Sequence, residues 1–527
     1  MTAAATTAPA QPRTPRAASA VPVTAARLLW VELRHNAVPF ILPLIAALLW
    51  FDSYRPSMTQ PPVWALRTFW NMGQGHTIID FGPFVAGVAA WMGSREGRRA
   101  ITDLITAAAR PRWITQLATW AATAIWAVGA YLVFVGVMFG AYIAQGMLGP
   151  APWWWVAVGA VAVAAFSAAG FAVGALYPSR FAAPLAAFGS VVVLMMSSQT
   201  GFRDTSGWAL ILPTNSNGNY QSPSGIFYPY LPDLPIARMM LLAGITLAAV
   251  GLLGLPSRAG SLRLRWTAAV VTLAGVVMAG TAIGLATTAR LGPAGIVIPA
   301  LHDAANDREI PATPVCSHTA GTPVCLNPVY RPYLADVTAA LHPALAQMAG
   351  LPGAPARVTQ TAGSYNSTEG AYEEAMTISG HPPVLGVPLG TFLLPGTSGF
   401  TSAPVRFADF ASQLQALAVH AFVGAGAGPG TMAQQAVQAA LLQGAGTPFA
   451  AQPKVLGQAG VAPPPPGAPA PTGAGAAGPG HDVGPASRSV YAAAHRLAAL
   501  PAAARRAWLT AHLAAVQSGR LTLAQLP

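Results

Sequence analysis

Eight of the ten histidines lie after residue 300: His302, His318, His342, His381, His420, His481, His495 and His512. So many imidazoles invite a search for a metallopeptidase centre, because neutral imidazole is the commonest metal ligand in proteins. A helical zinc site needs a second ligand four residues on and a nearby glutamate, as in H-E-x-x-H, and no histidine here has both. His420 sits in Ala-Val-His-Ala-Phe with Gly424 where the second ligand would be, which makes it a structural histidine. Glu373 and Glu374 are adjacent, so on a helix they would point to different faces and suit solvated charge. Ser364, Ser367 and Ser402 fall in polar loops with no G-x-S-x-G elbow. The single lysine, Lys454, stands in a Pro-rich stretch and not in a G-x-x-x-x-G-K-[ST] loop, so this polypeptide cannot be its own ATPase. With no ATPase or hydrolase motif, the chain reads as a non-enzyme with no cofactor and no bound metal.

The only cysteines are Cys316 and Cys325. Outside the cell thiols are not kept reduced, and a bridge closing so short a loop is expected to contribute roughly 2–3 kcal/mol. The competing metal site, with His318 between the two thiols, has no fourth ligand in sight.

A different chemistry is offered by Ser94 to Trp113, which reads Ser-Arg-Glu-Gly-Arg-Arg-Ala-Ile-Thr-Asp-Leu-Ile-Thr-Ala-Ala-Ala-Arg-Pro-Arg-Trp between two membrane-length apolar runs. Charge and apolar residues alternate there at helical spacing, as in a helix that docks on another protein. Asp80, inside the preceding run, is the one acidic residue well within an apolar stretch. Such carboxylates are often functional, but near the end of a span Asp80 reads first as an interface residue facing water.

The elements that position this gap are set by composition: 53% hydrophobic and 8% charged residues over 527, with mean hydropathy +0.47. An apolar run of roughly 17–25 residues crosses a bilayer as a helix, because lipid offers no partner to a free backbone group. Seven runs qualify: Val38 to Phe51, Ile78 to Met92, Ile114 to Ala144, Trp153 to Leu176, Phe181 to Ser198, Leu241 to Leu255 with its preceding turn, and Thr267 to Ala286. With a cytoplasmic N-terminus, Arg13, Arg16, Arg27, Arg34, Arg95, Arg98, Arg99, Arg110, Arg112, Arg180, Arg258, Arg263 and Arg265 fall inside. Arg55, Arg67, Arg203, Arg238 and Arg290 fall outside, a bias that follows the positive-inside rule. Seven spans then place the chain after about residue 290 outside the cell. The net charge of +12 is accordingly a topology signal and not a nucleic-acid signal, since the residues after Arg290 hold ten Arg or Lys against nine Asp or Glu.

Residues 1–23 lack the apolar core of a signal peptide and read as a disordered cytoplasmic tail. Thr24 to His35 sets Leu28, Leu29, Val31 and Leu33 beside Arg27, Glu32 and Arg34. It suits a helix lying in the inner interface or, alternatively, an extension of the first span. The membrane domain covers 24–290. An extracytoplasmic mixed α/β domain follows at 291–449, with an amphipathic helix near Tyr333 to Ala349, strand-like pieces around Ala356 to Thr361 and Val384 to Leu394, and helices near Phe407 to Val423 and Thr431 to Gln443. Residues 450–487, rich in Pro, Gly and Ala, read as a stiff linker, and 488–527 as a helical segment that docks back on the domain or on the membrane surface.

Thr24 to Leu255 resembles the permease subunits of type-2 ATP-binding-cassette exporters. The resemblance rests on the interfacial helix Thr24 to His35, a cytoplasmic helix Arg95 to Ala109, the Tyr177-Pro178-Ser179-Arg180 turn and the extracellular segment Gly201 to Pro235. It implies that the first cytoplasmic loop is a coupling helix entering a cleft in a separate cassette ATPase. Arg95, Glu96, Arg98, Arg99, Asp103 and Arg112 would lie at that contact, with Ile101, Leu104 and Ile105 as its buried residues. The permease would work as a homodimer or heterodimer in the lipid bilayer. A seventh span and a long outer region exceed a minimal permease, and that combination resembles permease-like proteins of actinobacteria. Simple positive-inside anchoring is the plainer reading of the arginines, but the three apolar residues exceed what anchoring requires. The rival for the whole chain is a membrane-anchored outer domain, a sensor or degraded peptidase, for which the spans are a platform.

Overall fold

The computed structural model describes residues 25–53, 76–98, 111–144, 151, 153–203, 210–212, 226–255, 262–292, 294–317, 321–362, 364–366, 371–373, 376–389, 407–424, 430–452 and 485–527. Helix α1 (Ala25–Arg34) is amphipathic, and the chain turns at Asn36, whose side-chain oxygen accepts the Val38 amide at 3.0 Å to open α2 (Val38–Ser53). Then come α3 (His76–Gly93), the one-turn α4 (Arg95–Arg98), α5 (Arg112–Ala144), α6 (Trp153–Leu176), α7 (Ala182–Arg203), α8 (Asp233–Leu252) and α9 (Leu262–Ala286). An apolar helix stands at each of the seven runs. Among the described residues, Arg112–Gly140, Trp153–Leu176, Asp233–Leu252 and Leu262–Ala286 are long and apolar enough to cross a membrane, and the pair Ala26–Arg34 and Val38–Ile45, bent by 50°, makes up to five. The expected coupling helix from Arg95 to Ala109 is seen only as α4, because 99–110 lie outside the described residues. The segment expected from Gly201 to Pro235 is shorter, since α7 runs on to Arg203 and α8 already starts at Asp233.

The helices alternate in direction. Met92, Trp113, Phe171, Val250 and Ala268 share one buried cluster, whereas Trp155, Leu194, Leu234 and Ala286 share another. The first gathers the end of α3, the start of α5, the ends of α6 and α8 and the start of α9; the second gathers the starts of α6 and α8 and the ends of α7 and α9, and a third joins Phe81 near the start of α3 to Met138 near the end of α5 and Val156 near the start of α6. Close packing between α3 and α6 rests on two glycines: Gly170 and Gly174 face Ala86 and Ala90 so tightly that a Cβ would overlap their carbonyl oxygens. Gly244 on α8 and Gly275 on α9 make the same kind of approach. Small residues of this kind let apolar helices pack where burial from water drives nothing. Outward faces remain apolar, among them Val133, Phe188, Leu185, Trp266 and Leu273, each more than 60% exposed.

After α9 the hairpin β1 (Arg290–Gly292) and β2 (Gly295–Val297) leads into the C-terminal domain. This domain holds β3 (Val315–Ser317), β4 (Val324–Leu326), α10 (Leu334–Met348), β5 (Arg357–Gln360), the hairpin β6 (Ser364–Asn366) and β7 (Ala371–Glu373), β8 (Thr377–Ser379) and β9 (Val384–Val387). The five-stranded sheet has the order β3-β4-β5-β9-β8, with β4, β5 and β9 parallel and an antiparallel strand at each edge. Helix α10 is the crossover from β4 to β5. It buries Val337, Leu341, Ala344, Leu345 and Met348, a stripe at helical spacing, against the sheet. The helices α11 (Phe407–Phe422) and α12 (Met432–Gly444) follow, the latter capped by a reciprocal Thr431 and Gln434 box. Gly424 closes α11 at φ +73°, tight against the Gln517 backbone, where any side chain would be strained and would clash. Finally α13 (Pro485–Ala499) and α14 (Ala502–Gln517), separated by Pro501, put Leu497, Leu509, Leu513 and Val516 into the same core as α10, α11 and α12. Of the two expected resting places for the chain end, the one observed is the domain.

Candidate functional site

The charged residues that flank residues 99–110 are held by carboxylates from two different helices. A terminal nitrogen of Arg95 donates to both oxygens of Glu32 on α1, at 2.9 and 3.1 Å. On the other side of residues 99–110, the Arg112 Nε donates to Glu96 at 2.9 Å. Arg98 lies with its guanidinium 3.4 Å from the ring centre of Trp91, donating to the Trp91 carbonyl at 2.9 Å and to the Ser94 hydroxyl at 3.1 Å. Gly97 rests on Pro178 of the Tyr177-Pro178-Ser179-Arg180 turn, with no room for a Cβ. Further bonds bind α1 to α5: Asn36 donates to Thr123 at 2.9 Å and Trp126 donates to the Leu33 carbonyl at 2.9 Å. Trp113, beside Arg112, reaches across to the Val250 carbonyl of α8 at 3.0 Å.

Of the expected coupling residues, the fold brings Arg95, Glu96, Arg98 and Arg112 together, while Arg99, Ile101, Asp103, Leu104 and Ile105 lie outside the described residues. Arg98, expected at the contact with the ATPase, lies over Trp91. Glu32 and Glu96 are buried, each with only 8% of its surface exposed, so each needs a cation to offset lost hydration. Sequence reasoning missed the pairing of Glu32 with Arg95, although a signal existed: Glu32 is the first acidic residue of the chain, set among Arg27, Arg34 and apolar neighbours.

At the opposite end of the bundle, residues 226–233 tie the helices to the C-terminal domain. Ile226 is buried in that domain's core, and Leu231 packs on Ala294 and Val297 beyond α9. The Ile310 amide donates to the Phe227 carbonyl at 2.7 Å and the Tyr228 hydroxyl to Glu309 at 3.0 Å. Burial pushes the Tyr230 and Tyr330 phenols above their ordinary range. The disulfide joins Cys316 and Cys325, directly opposed residues of β3 and β4, with an S–S distance of 2.08 Å. It staples an edge strand to the parallel core.

Comparison with family models, curated proteins and solved structures gives no match for this chain. Chemistry must therefore be argued from its own side chains. Among the described residues no group of three or more His, Cys, Asp or Glu is arranged to hold a metal ion. His420 is buried against the Gln438 amide oxygen at 3.2 Å, an amide where a metal centre would want a carboxylate. His495 leans on Phe449 and His512 stacks on Trp508. His342 lines a cleft of about 460 Å³ with Thr322, Thr338 and Leu345 on one side of α10, and a second cleft of about 420 Å³ between α10 and α14 carries Gln347, Arg505 and Arg506. His302, between two aspartates, is the one histidine in a built ionic cluster among the described residues. Glu373 lies in β7 and Ser364 in β6; His318, Glu374, Ser367, Ser402, Lys454 and His481 lie outside the described residues.

The Arg95–Glu32 pair joins the residues after α3 to α1, the Arg112–Glu96 pair ties α4 to the start of α5, and Gly97 rests on Pro178 just beyond α6.

Proposed function

We propose that the chain is the permease-like transmembrane subunit of an ATP-binding-cassette transporter, an exporter driven by a separate ATPase. It has seven spans, a cytoplasmic N-terminus and an extracytoplasmic C-terminal domain, and works as a dimer of permeases. The carrying observation is the clamp around residues 99–110: Arg95 on Glu32 fixes their start to α1, and Arg112 on Glu96 ties the start of α5 back to α4. Positive-inside anchoring asks for arginines at the lipid headgroups; it does not ask for carboxylates buried beneath them. A coupling element needs such rigid mounting, because motion is passed on only through packed contacts. Support comes also from the alternation of the helices, which sets the 95–112 loop and the C-terminal domain at opposite ends of the bundle.

The test is co-purification from native membranes. Changing Ile101→Asp together with Ile105→Asp is expected to abolish recovery of the ATPase while the protein still inserts, and Arg99→Gln is expected to weaken it in a salt-dependent way. Normal insertion with undiminished recovery would refute the contact. If wild-type membranes never yield an ATPase, the membrane-anchored outer domain takes its place, a reading that the two clefts beside α10 favour.

A further inference from the structure

At the start of α8 the Asp233 carboxylate is fully buried. One of its oxygens accepts the Ile298 amide at 2.9 Å and lies 3.1 Å from Nδ1 of His302. The other ring nitrogen, Nε2, lies 3.1 Å from a carboxylate oxygen of Asp307. The second oxygen of each aspartate is buried with no partner. Both contacts of the imidazole are therefore to acceptors. A neutral ring has one N–H and would turn a lone pair toward one carboxylate, whereas the imidazolium has two N–H groups and satisfies both.

We propose that Asp233, His302 and Asp307 form a proton-binding latch, which fastens the start of α8 to residues 298–310 when the ring is doubly protonated and releases Asp307 when it is not. Asp307 is the partner that lets go because it is one-third exposed and can be hydrated, while Asp233 has no access to water. Arg308, next to Asp307 in the chain, is exposed. Asp303 accepts the Ala305 amide, Glu309 accepts the Tyr228 hydroxyl, and Arg238, five residues along α8, donates to the Leu210 carbonyl over the Trp155 ring. Burial alone would lower the proton affinity of His302, but the two carboxylates outweigh it and the net direction is upward. A histidine with a raised folded value contributes stability that is complete below its unfolded value, about 6.5, and lost as pH rises through the folded one. Segment 303–310 carries the Ile310 and Glu309 contacts to Phe227 and Tyr228, so its release loosens the seam between the helices and the C-terminal domain. This inference does not depend on the transport reading.

Hydrogen exchange at the imidazole C2 position, read by mass spectrometry on the wild-type protein in nanodiscs, reports the titration of each histidine without any mutation. His302 is expected to titrate above the ordinary value of about 6.5, and Asp307→Asn to bring its midpoint down. Amide exchange in 298–310, corrected for its intrinsic pH dependence, should speed up about tenfold across that midpoint, and His302→Gln should remove the pH dependence. A His302 midpoint at or below the ordinary value, or protection of 298–310 that is the same on both sides of the midpoint, would overturn the latch.

Discussion

The two polar clusters differ in the kind of cation that neutralises their buried carboxylates. At one end Glu32 and Glu96 are met by guanidiniums, which stay charged at every physiological pH; at the other Asp233 is met by an imidazole, which does not. The first cluster is therefore a fixed mount and the second a titrating one. In a double-mutant cycle of Glu32→Gln and Arg95→Gln, followed by thermal unfolding in nanodiscs, a coupling energy of about 1 kcal/mol is expected, since the arginine is partly solvated. Additive single mutants would mean that the pair does not form in the folded protein.

Helix packing at the element scale is controlled by what is absent from the side chains. Gly174 lies so close to Ala90 that α3 and α6 would have to separate to admit anything larger. Replacing it by valine is expected to cost about 1–3 kcal/mol, read as a lower unfolding temperature, whereas valine at Gly136, which has open space around it, should change little. Equal effects at the two sites would show that α3 and α6 are not in contact there. The apolar helices were legible in the sequence, because a long apolar run pairs its backbone internally as a helix; among the described residues four of them, or five with the bent pair, are long and apolar enough to cross a membrane. So was α10, whose Val337, Leu341 and Leu345 repeat at helical spacing, and so was the cysteine pair. Strands of three residues such as Val315–Ser317 and Thr377–Ser379 were not, being too short for an alternating pattern to register. The break at Pro501 was passed over for a related reason, since both flanking segments keep helical periodicity. Most of the site was hidden because its contacts are long-range: Glu32 meets Arg95 across 63 positions and Asp233 meets His302 across 69, separations on which local spacing is silent.

For the molecule as a whole the decisive quantity is the side of the membrane on which each end of the bundle lies. The helices alternate so that the Tyr177-Pro178-Ser179-Arg180 turn shares an end with the clamp around 95–112, while the C-terminal domain grows from the end where α9 finishes. Because Cys316 and Cys325 are both consumed by their bridge, a single introduced cysteine is the only free thiol in the protein. Two positions exposed in the fold serve as reporters: Ser179 in the turn and Ala504 on α14. With the arginine bias setting the orientation, a membrane-impermeant maleimide applied to intact cells is expected to label Ala504→Cys at once and Ser179→Cys only after lysis. The opposite pattern would reverse the orientation, placing the clamp outside and out of reach of any cytoplasmic ATPase. Labelling of both from one side would mean that the number of crossings between residues 179 and 504 is even, so that α7, α8 and α9 do not all span.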